Sequence, residues 1–522
     1  MGRRWDKRVV GFFFFLFFSI YLGGVSYALV GQNFWVNKIV VEGNHVVPTK
    51  DITPVITPFE HKKLNLKTLK HIAYLITEIY IKRGYVTSRA YIPPQNIKDG
   101  IVRIAVFEGK VGSINIHGRH PYYPTGFIKS YFKPLVKERI FNRKVLERAL
   151  LLLNQCINLK VKAKLKRGKL PGTTDIDINA TSKYPASVAA TYDNFASKYT
   201  SKNKSRFGGS LNVENIPVPG SIISFYGMVG SRYTDLRFYR IADSFPVGVE
   251  GLRLSFYYSY GNYDVGRDLQ VLNITGLSSS YGCSVSYPVI KQRTKSLSVN
   301  LGLSFVYSKQ LMLGKITSRD KIRPVSAGFT YSFITAYSKN FFNFSITQGL
   351  GDNLGGMPNG YLRASRVGAV SDFTKFNINI FRIQRIKPYL FFIAKGTGQY
   401  CDRVLISSEE FYIGGADSVR GFTQSEYGGD SGYFATAELR IAPLSERKLL
   451  QLAIFADTGY VCAVHPASGQ KRDHSLTGVG VGLCMDMPYG LHLRADFAVP
   501  VKPSRNADGK KYDFYIQLVE SI

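Results

Sequence analysis

The sequence is poor in the residues that build metal centres, disulfide frameworks and catalytic clusters. Its 522 residues include only 5 cysteines, 2 tryptophans, 6 methionines and 8 histidines. The cysteines lie far apart and form no CxxC pair, which argues against a zinc site and against a disulfide framework. Acidic residues are also scarce, since 36 Asp and Glu stand against 68 Lys and Arg and leave a formal net charge of +32. Acidic proteins, anionic lipid surfaces and nucleic acid are therefore the partners to consider first.

Long hydrophobic runs are missing except at the N-terminus. Residues 1–8 (MGRRWDKR) are positively charged, and Val9–Tyr21 form a short apolar core. Ser26 and Ala28 are small residues at the −3 and −1 positions of a cleavage site after residue 28. The apolar run falls short of the ~18 residues that a membrane-spanning helix needs. We therefore interpret residues 1–28 as a secretory signal peptide and expect an exported protein without membrane helices.

Glycine and aromatic residues are abundant, with 49 Gly, 35 Phe and 34 Tyr, and after about residue 184 apolar and polar residues alternate. The apolar positions of one such segment are Leu252, Leu254, Phe256, Tyr258 and Tyr260. An exported chain with one lipid-compatible face and one polar face is typical of a transmembrane β-barrel. At roughly 21 residues per strand and connection, residues 184–522 predict a barrel of about sixteen antiparallel strands. A barrel of this size is wide enough for an aqueous lumen.

Two α+β units precede the predicted barrel, at residues 35–109 and 110–181. Each has the order β-α-α-β-β. In the first unit, apolar residues recur at helical spacing over Leu66–Arg83, and Gly84 suits the C-cap. In the second unit, the corresponding helix is predicted over 141–158. Units of this length are small domains of ordinary size.

A basic strand in the second unit places four lysines on one side, because side chains alternate along a strand. The four are Lys160, Lys162, Lys164 and Lys166. They suit an edge strand that lysines protect against mispairing. They suit equally a surface that contacts anionic lipid headgroups or an acidic client protein. We do not expect nucleic acid as a partner, because an exported protein rarely meets it.

Two short motifs in the barrel region resemble a known superfamily. The stretch Gly414–Phe422 is similar to the tip of a long loop in the barrel-assembly and two-partner secretion superfamily, and its core is Val419, Arg420, Gly421 and Phe422. The superfamily's Phe-x-Asp-x-Gly element is matched by Phe455, Asp457 and Gly459. Upstream, Pro93-Pro94-Gln95 and Pro171-Gly172 resemble the POTRA repeats of hemolysin-activator transporters. Two such repeats are the number expected of two-partner secretion transporters.

The resemblance implies a barrel in the outer membrane of a Gram-negative bacterium, with two POTRA domains in the periplasm. These domains would bind a large unfolded exoprotein that carries an N-terminal two-partner secretion domain, and the barrel would provide its pore. A long loop at about 402–431 would fold into the lumen. Outer-membrane lipid, lipopolysaccharide and the barrel-assembly machinery are further implied partners. We expect no catalysis, no cofactor and no metal site.

Other function classes explain less of the sequence. A diffusion porin would need neither the two repeats nor the Arg-Gly-Phe loop, and a hydrolase barrel would need a nucleophile and a base that the sequence does not offer. A barrel-assembly insertase shares the loop motif but usually carries five repeats, and it stays open as the alternative. Cleavage after residue 28 would leave only Leu29–Phe34 before the first strand. A helix that plugs the pore would need ~20 residues, so we expect the loop to occlude the lumen instead.

The two motifs predict an ion pair inside the barrel. Asp457 has the opposite parity to Leu452 and Ile454, so it faces the lumen if those residues face lipid. A desolvated carboxylate needs a partner, and the planar fork of Arg420 can hold it with two parallel hydrogen bonds. We therefore predict that Arg420 pairs with Asp457 and fixes the loop tip in the pore.

Overall fold

The computed structural model describes residues 33–197, 199–200, 204–443, 449–466 and 469–522. The predicted signal peptide, residues 1–28, lies outside the described residues. So does most of the segment Leu29–Phe34, for which no pore-plugging helix was predicted. The chain forms two compact units. One comprises the chain up to Val111 with 139–142 and 170–174, and the other comprises the remainder. Within the described ranges, no helix has both the length and the apolar character needed to cross a membrane.

The first unit is an α+β fold around one apolar core. Its elements are β1 (Phe34–Val36), β2 (Lys38–Glu42), α1 (Thr49–Ile56), β3 (Lys62–Leu64), α2 (Leu66–Arg83), β4 (Arg89–Tyr91) and β5 (Ile101–Phe107). Helix α2 has the predicted bounds. Asn65 caps its start by accepting a hydrogen bond from the Thr68 N–H, and Gly84 ends it with a left-handed φ of 105°. The sheet order is β2-β5-β4, and the apolar side of α2 packs on it.

The second α+β region consists of β6 (Lys110–His117), α3 (Thr125–Ser130), α4 (Lys133–Glu138), α5 (Arg143–Leu153), β7 (Leu159–Arg167) and β8 (Thr173–Ser182). Its sheet has the order β6-β8-β7, so β7 is an edge strand. Helix α5 is shorter than the predicted 141–158. The backbone tightens after Leu153, and the Asn154 side chain turns to bond the backbone of Val161. The apolar stripe continues past the helix end, so periodicity alone placed that end too late.

The predicted barrel is confirmed. The wall strands are β9 (Ala186–Asp193), β10 (Arg206–Glu214), β11 (Ile222–Gly230), β12 (Leu236–Val247), β13 (Leu252–Asp264), β14 (Thr275–Lys291), β15 (Lys295–Met312), β16 (Lys315–Ile322), β17 (Pro324–Ile334), β18 (Ser338–Gly349), β19 (Thr374–Lys387), β20 (Leu390–Tyr400), β23 (Ser431–Ile441), β24 (Leu450–Cys462), β25 (Asp473–Asp486), β26 (Leu491–Lys502) and β27 (Asp513–Ser521). A small hairpin, β21 (Phe411–Ile413) and β22 (Tyr427–Gly429), lies within one connection. Strands β16 and β17 both pair with β15, and Arg323 separates them, so together they occupy one wall position. The wall is therefore a closed sheet of sixteen antiparallel strands.

The barrel closes where its last strand meets its first. Strand β27 pairs with β9 over five residue pairs, from Gln517↔Asp193 to Ser521↔Ala189. Exposure follows the predicted alternation along the strands. On β24, Leu452 and Ile454 are 49% and 59% exposed on the outer face, whereas Asp457 is 1% exposed on the inner face. Directly paired residues share a face, so the register carries this assignment around the whole wall.

The second α+β region contacts the end of the barrel at which β9 begins. Arg148 of α5 donates from Nη2 to the backbone oxygens of Glu250 and Pro288, at 2.7 and 2.6 Å. The Tyr123 hydroxyl donates to the Glu214 carboxylate at 2.8 Å. Since hydrogen bonds to charged groups are among the stronger ones, these contacts fix α5 and the segment around Tyr123 against this end of the barrel.

Candidate functional site: the inward loop and its anchor

The long connection between β20 and β23 reaches the inner face of the wall. Its tip is shaped by two hydrogen bonds that backbone N–H groups donate. The Gly414 N–H donates to the Ser418 hydroxyl Oγ at 2.9 Å, and the Gly415 N–H donates to the Val419 carbonyl oxygen at 3.0 Å. Gly421, at a φ of +96°, has the left-handed conformation that side chains disfavour. Val419, Arg420 and Phe422 are all buried. The tip of the connection is therefore buried against the wall.

Arg420 and Asp457 form a buried two-pronged ion pair. Arg420 Nε lies 2.7 Å from Asp457 Oδ2, and Arg420 Nη2 lies 3.0 Å from Oδ1. The backbone N–H of Arg420 also donates to Oδ2, at 3.1 Å. Both side chains are almost fully buried, at 3% and 0% exposure. The geometry is the parallel fork that an arginine makes with a carboxylate and a lysine cannot.

Two further carboxylates, which sequence reasoning missed, complete this site. Arg420 Nη1 lies 3.1 Å from Glu438 on β23 and 3.2 Å from Asp496 on β26. Glu438 also pairs with Arg440, and Asp496 lies 2.6 Å from Arg494. We call these three arginines and three carboxylates the anchor network. Burial disfavours the charged guanidinium, but the hydrogen bonds and charges of the carboxylates raise the pKa of Arg420 above its ordinary value.

The other motif residues pack around the anchor network. The Arg420 guanidinium carbon lies 3.2 Å from the centre of the Phe455 ring, a cation–π contact. Gly459 makes room for the loop, because a Cβ built there would lie 2.8 Å from a Val419 methyl group. The structure thus brings the two motifs together, with Val419 on Gly459 and Arg420 on Asp457 and Phe455.

Tyr515 and Gly478, which sequence reasoning also missed, both contact the backbone of the loop tip. The Tyr515 hydroxyl accepts from the Gly421 N–H at 3.0 Å and donates to the Phe422 oxygen at 2.6 Å. At Gly478, the space of a Cβ is taken by the Arg420 carbonyl oxygen. Lys395 of β20 also donates to the Asp417 carbonyl oxygen at 2.7 Å. The tip is therefore contacted by inward residues of β20, β23, β24, β25, β26 and β27.

A second buried ion cluster lies among the outer loops. Arg366 Nη1 lies 2.5 Å from Asp430 and 3.2 Å from Glu410. Asp430 is fully buried and also accepts the backbone N–H groups of Leu405 and Val464, at 2.7 and 2.8 Å. The cluster joins three connections, those after β18, β20 and β24. We call it the outer node.

The four predicted lysines of β7 are exposed, and one of them is paired within its own sheet. Lys166 Nζ lies 2.5 Å from Asp177 Oδ2 on β8, and this hydrogen bond lowers the pKa of Asp177. Both outward backbone groups of Val161 are bound at 2.9 Å by the Asn154 side-chain amide. Because backbone direction alternates along a strand, the N–H groups of Ala163 and Leu165 point to the same outer edge as that of Val161.

No metal-binding arrangement is found among the residues that the structure describes: no three His, Cys, Asp or Glu side chains converge suitably. The five cysteines are free.

A closed sixteen-stranded barrel, preceded by α+β domains and holding an inward loop on a buried arginine, defines an outer-membrane transport barrel of the POTRA type. Residues 172–485 match the model of the haemolysin secretion/activation protein family ShlB/FhaC/HecB, and residues 34–109 match the ShlB-type POTRA domain. The chain belongs to this haemolysin secretion/activation family. It is a two-partner secretion transporter of the outer membrane, with its POTRA domains in the periplasm.

Individual relatives agree with this assignment. The heme/hemopexin transporter protein HuxB of Haemophilus influenzae is 24% identical over 502 residues, covering 93% of this chain and 86% of that protein. The outer membrane transporter CdiB of Dickeya dadantii is 24% identical over 470 residues, covering 87% and 81%. The solved structure of CdiB from Escherichia coli superposes with a TM-score of 0.82 at 19% identity, covering 96% of this chain and 93% of that one.

Proposed function

We propose that the structure represents the closed state of the transporter, with the loop tip as its internal plug. The observation that carries this proposal is the anchor network, which ties Arg420 to inward carboxylates on three wall strands. An unfolded exoprotein enters from the periplasm and displaces the tip as it passes. The step is one of binding and displacement, with no covalent chemistry and no cofactor.

We propose further that the exoprotein first adds a strand to the edge of β7. This strand is nine residues long, lies outermost in its sheet and exposes Leu165 together with the four lysines. Strand addition uses main-chain hydrogen bonds and so accepts an unfolded client of varied sequence. The lysines favour a client whose first segment, its two-partner secretion domain, is acidic.

A proline substitution tests the edge. Leu165→Pro removes an N–H that points outward, which an edge strand tolerates, but it removes a donor that an added strand would use. We expect client binding to the purified full-length protein to fall, whereas Leu165→Ala keeps the N–H and binds like wild type. Gel migration of the unheated protein shows whether each variant is a folded barrel. Equal client binding by two folded variants would contradict strand addition at β7.

The barrel's surroundings complete the proposal. Outer-membrane lipid and lipopolysaccharide contact the outward apolar belt, which includes Leu452 and Ile454. The barrel-assembly machinery inserts the chain during biogenesis.

Deletion of the gene, followed by a survey of surface and medium proteins, tests the function itself. We expect one large exoprotein to disappear and to return on complementation with the wild-type gene. Arg403→Ala, an exposed arginine of the same loop, serves as the matched control for Arg420→Ala in the complemented strain. A general loss of outer-membrane barrels would instead indicate an insertase.

A further inference from the structure

One half of the inner wall carries a ladder of neutral hydrogen-bonding side chains. Asn379 on β19 is bound to Asn343 on β18 at 3.3 Å and to Thr397 on β20 at 3.1 Å. Asn343 in turn donates to Thr330 Oγ1 on β17 at 3.0 Å. These residues are direct partners in the strand register, so the ladder crosses four neighbouring strands on the inner face.

The same chemistry continues across the next three strands. Thr330 is paired in register with Ser298 on β15. The Tyr257 hydroxyl on β13 reaches across Gly282 of β14 and donates to Ser304 Oγ at 2.9 Å. Ser259 and Ser280 are hydrogen bonded at 2.7 Å. Glycine at 282 leaves the space that the tyrosine ring uses.

Charged residues on this inward face of β13–β19, as the register assigns it, lie near the strand ends. Toward the periplasm they are Arg253, Lys291, Lys339 and Arg385, and toward the outer loops they are Lys315, Asp320 and Lys375. Between them the face presents serine, threonine, asparagine and glycine with a few aromatic rings. We call this middle region, represented by Tyr257, Ser280, Ser304, Thr330, Asn343 and Asn379, the neutral wall.

The loop tip occupies a different part of the lumen. Its ion pairs and hydrogen bonds go to inward residues of β20, β23, β24, β26 and β27, namely Lys395, Glu438, Asp457, Asp496 and Tyr515. One half of the barrel is thus built to hold the plug through buried charge. The middle of β13–β19 instead presents uncharged side chains that can donate or accept a hydrogen bond. Inward charges border it on both sides: the Arg240 guanidinium on β12 lies 4.4 Å from the centre of the Tyr257 ring, and Lys395 lies on β20.

We propose that the neutral wall is the surface along which the extended exoprotein slides; this rests on the secretion function proposed above. A moving chain presents acidic, basic and neutral segments in turn. A charged wall would hold segments of opposite sign and repel those of like sign, because charges at close range interact by about 1 kcal/mol even in water. Hydroxyl and amide groups offer each backbone amide a replaceable partner of similar strength, so no segment is retained.

A pair of isosteric substitutions tests the proposal. Ser304→Asp places a charge on the neutral wall and keeps an acceptor for Tyr257, and Ser304→Asn has nearly the same size without the charge. The substrate is the exoprotein identified by the deletion experiment, with and without an inserted run of glutamates. We expect Ser304→Asp to secrete the glutamate-containing client about fivefold more slowly than Ser304→Asn, the factor that one like charge gives at close range. Gln517→Glu, on the plug side, should cause no such difference.

A second measurement does not depend on secretion rate. A photo-crosslinking amino acid replaces Asn343 on the neutral wall or Gln517 on the plug side, and the client is stalled by a folded domain fused to its C-terminus. Crosslinks to the stalled client should form when the photo-crosslinking residue is at position 343, and they should not form when it is at position 517. Crosslinks mainly from 517, or equal rates for the two Ser304 variants, would overturn the neutral wall. Failure of the wild-type protein to secrete the client would overturn the proposed function instead.

Discussion

Replacing Arg420 with alanine should open the closed barrel more than any other single change in the loop. The variant leaves Asp457 buried with only the backbone N–H of residue 420, whereas Glu438 and Asp496 keep Arg440 and Arg494. Removing one partner of a buried ion pair costs about 3–5 kcal/mol. Because Arg420 lies on the loop, we expect this cost to appear as release of the loop tip. The wall strands should stay paired in their closed sheet. A coupling of about 3 kcal/mol corresponds to about 150-fold in the ratio of docked to released loop.

The structure also predicts an asymmetry between the two partners. Asp457→Ala leaves Arg420 with Glu438 and Asp496, so the arginine stays paired and the tip should be released less often than in Arg420→Ala. The double variant should be less than additive, with a coupling of about 0.5–3 kcal/mol, since both residues belong to one network. Secretion should fall in both single variants while the barrel remains assembled.

Single-channel recording of the purified full-length protein in planar lipid bilayers measures the released state directly. Open probability should rise in the order wild type, Asp457→Ala, Arg420→Ala, and Arg403→Ala should match wild type. The reasoning fails if Arg420→Ala stays closed, if Asp457→Ala opens the channel as much as Arg420→Ala, or if the two effects simply add.

Two further changes test the contacts that the sequence did not reveal. Gly478→Ala should release the tip because its Cβ would meet the Arg420 carbonyl oxygen, whereas a Cβ at Gly396 has its nearest contact at 4.0 Å, so Gly396→Ala should behave like wild type in the same recordings. Asp430→Ala should loosen the outer node by about 3–5 kcal/mol, since it leaves Arg366 with one carboxylate fewer and two backbone N–H groups without their acceptor. Limited proteolysis of intact cells should then cut the outer loops; resistance equal to wild type would show that the node does not hold them.

The lysines of β7 show where a strand pattern stops being informative. Alternation correctly places Lys160, Lys162 and Lys164 on one exposed side. It does not show that Lys166 is paired with Asp177 on the adjacent strand, because that contact depends on which strand becomes the neighbour. Nor does it show that the Asn154 side chain covers part of the same edge, since the helix end that places it was predicted five residues too late.

The sequence by itself determined the barrel and the central ion pair that holds its inward loop. A lipid-facing strand must alternate apolar and polar residues, so the faces of the wall can be read from periodicity, and parity alone put Asp457 in the lumen. The resemblance of two motifs then supplied Arg420 as its partner. Tertiary structure alone decided that Glu438 and Asp496 join them. Closure of the barrel brings their strands next to the loop, and nothing in the spacing of these residues along the chain indicates that they contact it. It also decided the outer node, whose residues lie in connections without any period, and the hydrogen-bonded ladder of neutral side chains across β17–β20.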